Sequence, residues 1–382
     1  MSAGAGGGPG TGPTRICFVS PHAYALFSGI PRGFGGAEVQ QGLIGRALAA
    51  RGFDVRFVTY APGRAHDECY GDIRVFTVPG PGHGRPGLAG KLANIDLWRA
   101  LSRADADVYY QRCAGTLTGV VGLYARLHRK PFLFSVANDR DLDGHYLRTA
   151  APHQAMLYRL GVRLASAIVI QSEHQARLLR ERWGREGVLT PSACPIPEGP
   201  LPPSTARRGA LWVGNMLPKK RPGLLADLAA AVPEVSFTMI APETGDPGYV
   251  RAQLERVRAC PNVRHVPRAP YEAMPGYYCD AALLVSTSTA EGFPNVFLEA
   301  WANRMPVVSL EIDPDKLLCR KGLGVHAKTI DEMAAAVRRL AANPAEREAI
   351  GERGQAWVRD RHAPEAVGER YEALIAKVRG GG

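Results

Sequence analysis

Long apolar runs are missing from this 382-residue chain. No stretch approaches the roughly 18 consecutive apolar residues of a membrane span, so the pattern is that of a soluble globular protein. Residues 1–13 have neither a basic start nor an apolar core; they read as a flexible tail, not a secretory signal. Cysteine is sparse and unpatterned. The seven are scattered and odd in number, with no C-x-x-C, which argues for a reduced cytoplasm and against structural zinc. Aromatics make up only 8% and do not interleave with basic residues in a stripe, so nucleic acid is not an expected partner.

What is present is a core-building composition, 46% hydrophobic and 22% charged, on a chain long enough for two domains. Short β-branched runs alternate with helical stretches, the mark of parallel α/β layers. In the first half, strands are expected at 15–20, 54–59, 73–78, 108–110, 131–135 and 167–170, with helices at 37–51, 91–102, 117–129, 153–164 and 173–183. Residues 191–203 hold six prolines, too many for a helix or a central strand. The alternation restarts at 210–214 and continues through strands at 235–240, 263–266, 281–285 and 307–310. Helices follow at 221–231, 247–258, 296–303, 330–342 and 364–379. The expectation is two Rossmann-like domains, 14–190 and 209–363, facing each other across a cleft and joined by a linker at 191–208. Ligands of such sheets gather at the carboxyl ends of the strands. The net charge of +11 calls for anionic partners: nucleotide phosphates, or peripherally an anionic membrane surface.

The segment Glu291-Gly292-Phe293-Pro294-Asn295-Val296-Phe297-Leu298-Glu299 is the most informative. Pro294 and Asn295 suit a helix start, which leaves Glu291 in the preceding loop and Glu299 one to two turns inside the helix. The free amides of the first turn, at the positive end of the helix dipole, form an anion seat between two carboxylates. A ligand with a central phosphate and hydroxylated sugars at both ends suits that layout. Two solvated acids on a surface helix would be the plain alternative.

The segment resembles the E-x7-E signature of the GT-B retaining glycosyltransferases, especially family 4, and three other regions support the resemblance. Gly33-Phe34-Gly35-Gly36-Ala37-Glu38 is similar to the family's G-G-x-E element, whose glycine backbone touches the donor diphosphate. It departs from G-x-G-x-x-G and lies too far behind the first strand for a dinucleotide turn. Trp212-Val213-Gly214-Asn215 to Lys219-Lys220-Arg221 resembles G-R-x-x-x-x-K. Lys220 takes the Lys place, while Asn215 stands where the family has Arg, so one charge is missing and Lys219 or Arg221 would have to supply it. The segment Phe134 to Gly144 lies where the family carries a His near the donor sugar; here it reads Val-Ala-Asn-Asp, with Asn138 or Asp139 as substitutes. Asp139-x-Asp141-x-Asp143-Gly144 mimics the start of an EF-hand, but its twelfth position is Ala150, and it reads as a solvated acidic loop instead of a metal site. Arg112, at a strand end, faces either the cleft or a salt-bridge partner, and His22 reads as a loop residue.

The resemblance implies a cytoplasmic glycosyltransferase, reaching to the inner membrane face, that moves a sugar from a nucleotide-sugar donor to a hydroxyl acceptor. Surface polysaccharide or glycoconjugate synthesis is the expected setting. Glu291, Lys220 and Asp139 are the implied catalytic group. Gly35, Gly36, Asn215, Lys220, Gly292, Phe293, Pro294, Asn295 and Glu299 would bind the donor: Glu299 its ribose, Glu291 its sugar, Lys220 its diphosphate. No metal or cofactor is required in that reading. The last helix, 364–380, would cross back onto the first domain. Two alternatives stay open, a nucleotide-sugar epimerase of the same fold and a catalytically degraded GT-B protein that only binds.

Overall fold

Runs of four or five apolar residues, buried on both faces, build two parallel sheets in this computed structural model, which describes residues 12–29, 35–63, 65–79 and 89–380. Gly33, Phe34 and residues 1–11 of the expected tail lie outside the described residues. The first sheet has eight strands: β1 (Arg15–Val19), β2 (Asp54–Ala61), β3 (Asp67–Tyr70), β4 (Ile73–Pro79), β5 (Val108–Arg112), β6 (Phe132–Ser135), β7 (Ala167–Ile170) and β8 (Val188–Leu189). Their order is β3-β4-β2-β1-β5-β6-β7-β8, and only the β3–β4 pair is antiparallel. The second sheet contains β9 (Ala210–Val213), β10 (Phe237–Ile240), β11 (Val263–Val266), β12 (Leu283–Ser286), β13 (Val307–Ser309) and β14 (Gly324–His326). Its order, β11-β10-β9-β12-β13-β14, is the doubly wound Rossmann arrangement.

Helices cover both faces of each sheet, giving two apolar cores per lobe. Their ends follow local chemistry. Ser172 accepts from Gln175 N at the start of helix Glu173–Trp183, and Gly184 in the left-handed region ends it. Helices Thr116–Leu127 and Pro152–Leu164 pack so closely that a Cβ on Gly161 would lie 2.3 Å from the Thr118 carbonyl. Only glycine permits that crossing.

The chain crosses between lobes twice, and the two crossings are pinned together. In the proline-rich stretch, residues 190–194 are buried, not solvated. Gln40 holds Ala193 through both its amide groups, at 2.7 and 2.8 Å, and Gln171 donates to Ser192 Oγ. At the return crossing, after the 19-residue helix Pro344–His362, the His362 ring meets Ser192 O at 2.7 Å and Cys194 N donates to His362 O. Proline density thus marks an irregular segment, but buried side-chain amides satisfy its backbone. Helix Pro364–Gly380 then sinks Val367, Tyr371, Leu374 and Ile375 into the core under β1, and Arg51 pairs with Glu369 and Glu372 on its outer side.

Candidate active site

A cavity of about 490 Å³ lies between the carboxyl ends of the two sheets. From the first lobe Gly35, Gly36, Ala37, Glu38, Arg112, Ala137, Asn138 and Asp141 line it. From the second come Gly214, Asn215, Lys219, Lys220, Glu291, Phe293, Pro294 and Asn295. A larger cavity, about 710 Å³, lies at the opposite ends of the first sheet's strands among Arg126, Arg129, Lys130 and Lys377, and brings none of the expected site residues together.

The centre of the site is an ion pair. Lys220 Nζ lies 2.5 Å from Glu291 Oε1, and both side chains are largely buried, 16% and 12% exposed. Neighbouring loops fix the pair. Lys220 ends a 3-10 turn, Pro218–Lys220, whose carbonyls are taken up by the loop after β12. Thr287 Oγ1 donates to Lys220 O at 2.6 Å and Thr289 N to Lys219 O at 2.8 Å. Arg221, in the left-handed region at φ 47°, pairs with Glu311 through Nη1 and donates from Nε to the Thr287 carbonyl, while its buried Nη2 has no acceptor. Arg221 is not part of the cavity lining, whereas Asn215 lines it as a neutral group.

Helix Asn295–Ala302 starts at the cavity wall behind Pro294, and no side chain caps it. Its first-turn amides are therefore left without a capping side chain at the cavity wall. The Phe293 ring stacks on Trp357, 6.2 Å away, which leaves its backbone to face the cavity. Across the gap, Asn295 Nδ2 donates to Gly36 O at 3.0 Å, and Glu38 Oε2 accepts from Gly35 N at 2.9 Å. Gly292 lies at a close approach of the lobes. A Cβ there would meet Ala137 O at 2.6 Å and Gln175 Nε2 at 2.8 Å, both in the first lobe.

Three expected residues stand apart from the cavity lining: Gly292, at its contact with Ala137, then Glu299 and Asp139. Glu299 belongs to the same helix but turns its carboxylate to the Tyr278 hydroxyl, which donates to Oε2. Burial pushes its carboxyl up to about 7, against that hydrogen bond. Asp139 accepts from Gln175 Nε2 at 3.0 Å, with His174 Nε2 3.8 Å from its other oxygen; burial raises it to about 6. The cavity wall is instead formed by Asp141, whose Oδ2 accepts from Ala137 N and Asn138 N. Asp143 Oδ1 takes His145 N, so the D-x-D-x-D letters cap local turns. Sequence reading left Arg112 undecided and took Asp141 as part of a solvated acidic loop, whereas it is buried. Arg112 lines the cavity and forms no ion pair among the described residues. Its place at the end of β5 was the available signal. His22 is exposed in a turn, and Gln175, which links Asp139 to the Gly292 contact, carried no motif.

Among the described residues, one group has metal-ligating types close together: Asp313, Cys319 and His326, with ligand atoms within 4.8 Å of one another. It lies outside the cavity, and the Asp313 oxygens already accept from Leu318 N and Cys319 N.

Family models match about three quarters of the chain in two pieces, a "Glycosyl transferase 4-like domain" over residues 35–192 and "Glycosyl transferases group 1" over 207–343. This chain is a GT-B glycosyltransferase. Solved structures agree on the fold at low identity. A sucrose-phosphate synthase from Thermosynechococcus elongatus is 18% identical with a TM-score of 0.78, covering 97% of this chain and 100% of the other. HepE from Anabaena in complex with UDP-glucose is 17% identical with a TM-score of 0.72, covering 95% and 99%. A TarM variant from S. aureus, solved with UDP, is 16% identical with a TM-score of 0.60, covering 74% and 58%. Among the described residues, no helix is long and apolar enough to cross a membrane.

Proposed function

We propose that this glycosyltransferase transfers a sugar, with retention, from a nucleoside-diphosphate sugar to a hydroxyl of a glycan, lipid-linked or small-molecule acceptor. Its setting would be surface polysaccharide or glycoconjugate assembly. The observation that carries the reading is the buried Lys220–Glu291 pair beside an uncapped helix start, across a narrow gap from Gly35 and Gly36. A diphosphate bound there gives Lys220 a second anionic partner as negative charge grows on the leaving group, an electrostatic role of several kcal/mol in such sites. Glu291, relieved of part of that pairing, accepts from a sugar hydroxyl. Glu299, further along the helix, holds the ribose, and Asp139 orients the sugar or the incoming hydroxyl through its link to Gln175. The acceptor oxygen attacks on the face the diphosphate leaves, and a departing phosphate oxygen takes its proton. Glu291 is ion-paired and serves as a positioning acceptor, not a nucleophile.

HepE and TarM structures carrying UDP support a nucleotide donor without naming the base used here. Calorimetry with UDP, GDP and ADP tests the donor site; donor turnover and the anomeric configuration of the product test chemistry and retention. Silence toward all three nucleotides would overturn the reading. Binding without any donor turnover would favour the degraded-binder alternative, which the neutral Asn215 supports. Lys220 and the helix start supply the charge neutralisation, so turnover is expected to persist in EDTA. The +11 charge supports a cytoplasmic enzyme that visits an anionic membrane face; vesicle flotation at low and high salt tests that contact.

A further inference from the structure

Arg112 is the last residue of β5, 7% exposed, and lines the cavity between the lobes. Its Nη1 donates to Ser135 Oγ at 3.1 Å, while its buried Nε has no acceptor. A guanidinium only donates and stays charged, so burying one without an anion is costly. Asp141, a buried acid whose charge Arg112 favours, forms no ion pair with it and spends Oδ2 on two backbone amides.

Other buried arginines show what a purely architectural one looks like here. Arg56 pairs with Asp54 and donates to Ala104 O. Arg207 donates to Pro202 O and Asn303 O, and Arg347 to Leu340 O, Ala341 O and Ser204 O, although the Arg347 Nε, like that of Arg112, has no acceptor. None of these three lines the cavity. What sets Arg112 apart is a single side-chain hydrogen bond and a place on the cavity wall. On the second lobe, Lys220 is paired with Glu291, Arg221 with Glu311, and Asn215 is neutral. Half-buried Lys219 also lines the cavity without an ion pair; among the described residues, Arg112 is the buried arginine of the cavity that forms none, with only the charge of Asp141 nearby.

We propose that Arg112 is a phosphoryl anchor: it binds an oxyanion of a bound substrate from the first lobe, opposite Lys220 and the helix start of the second. The proposal rests on the cavity being the nucleotide-sugar site. Its oxyanion has two possible sources of the same chemistry, the donor diphosphate and a phosphate carried by the acceptor.

The test compares wild type with Arg112→Gln and Arg112→Lys, each first checked for an unchanged thermal transition without ligand. The tightest of UDP, GDP and ADP is titrated beside its parent nucleoside, and inorganic phosphate is then titrated into nucleotide-saturated protein. A donor anchor predicts that Arg112→Gln weakens the nucleoside diphosphate by roughly tenfold or more, leaves the nucleoside unchanged, and is partly rescued by Lys. An acceptor anchor predicts unchanged diphosphate affinity but loss of phosphate binding to the saturated protein. Neither change overturns the assignment while leaving the glycosyltransferase reading intact. Wild type that binds no nucleotide overturns both. A wild-type crystal with the nucleotide and phosphate gives a readout independent of mutant folding: an oxyanion within hydrogen-bond distance of the guanidinium supports the anchor, and its absence there overturns it.

Discussion

The two lobes supply the cavity in different ways. The second contributes continuous segments: Gly214 to Lys220 after β9, and Glu291 to Asn295 after β12, which run from strand end through loop to helix start. The first contributes one helix start, Gly35 to Glu38, and separate residues after two strand ends: Arg112, then Asn138 and Asp141. Recognition of a constant group, a diphosphate, can be built into one local backbone geometry. A site assembled from separate strand ends can change one residue at a time, which suits a variable acceptor.

The sharpest way to break that contrast is to remove the second lobe's central charge. Lys220→Ala should lower kcat/KM by about a hundredfold to a thousandfold, the range for losing one electrostatic stabiliser of a leaving group. It also strands Glu291 in a largely buried position. A Lys220/Glu291 double-mutant cycle on kcat separates the two effects, since a pure pairing role predicts that the double variant recovers activity. Recovery would place the catalytic cation elsewhere, with Lys219 or Arg112 as the next candidates.

Next comes the contact between the lobes. Gly292→Ala puts a methyl group 2.6 Å from Ala137 O, a backbone atom that can yield only if the lobes part. Turnover should fall by about tenfold to a hundredfold, because misplacing reacting groups by about 1 Å has that scale of cost. Small-angle scattering should show a larger radius of gyration with the nucleoside diphosphate bound. An unchanged radius with full turnover would mean that this contact does not set the reacting geometry.

How much of this was legible in the sequence follows the same division. The apolar runs of β1, β6, β7 and β12 announce buried parallel strands because no polar face interrupts them. Strand β3, Asp-Glu-Cys-Tyr at a sheet edge, alternates exposed and half-buried residues and is protected by its charges, so it has no apolar signal. The long helix Pro344–His362 escaped for another reason. Its buried positions include Arg347, Gln355, Gly351 and Gly354, which pack by hydrogen bonds and close approach and leave little hydrophobic periodicity. In the site, two local motifs singled out Lys220, Glu291 and the helix start, which the fold brings to one cavity. Arg112, Asp141 and Gln175 meet only after the first sheet has ordered its strands, and no single segment encodes that meeting.

A smaller effect probes Glu299. Burial holds its carboxyl at about 7, above the ordinary carboxylate range, so the folded protein keeps a proton that the unfolded chain releases. The sign follows directly. The native state binds more protons than the unfolded state from about pH 4.3 to 7, so this group's contribution to stability is present at acid pH and is lost as pH rises through 7. Glu299→Gln should flatten that part of the stability profile. If the ionised carboxylate accepts the ribose hydroxyls, nucleotide affinity in wild type should rise by roughly several-fold between pH 6 and 8 beyond the rise seen in Glu299→Gln. Parallel pH profiles for the two proteins would remove Glu299 from the ribose site.

The least change is expected from restoring the charge that the second lobe lacks. Asn215→Arg places a guanidinium on an exposed position of the cavity rim, where solvent and salt screen it. Nucleoside-diphosphate affinity should improve by only about twofold to fivefold at low salt, and the gain should shrink at high salt. If Arg112 already answers the diphosphate from the first lobe, the gain should be larger in an Arg112→Gln background than in wild type, because each cation then substitutes for the other. Equal gains in both backgrounds would mean the two positions serve different anions. The lobes would then be what their construction suggests, one holding the donor and the other a separate, charged acceptor.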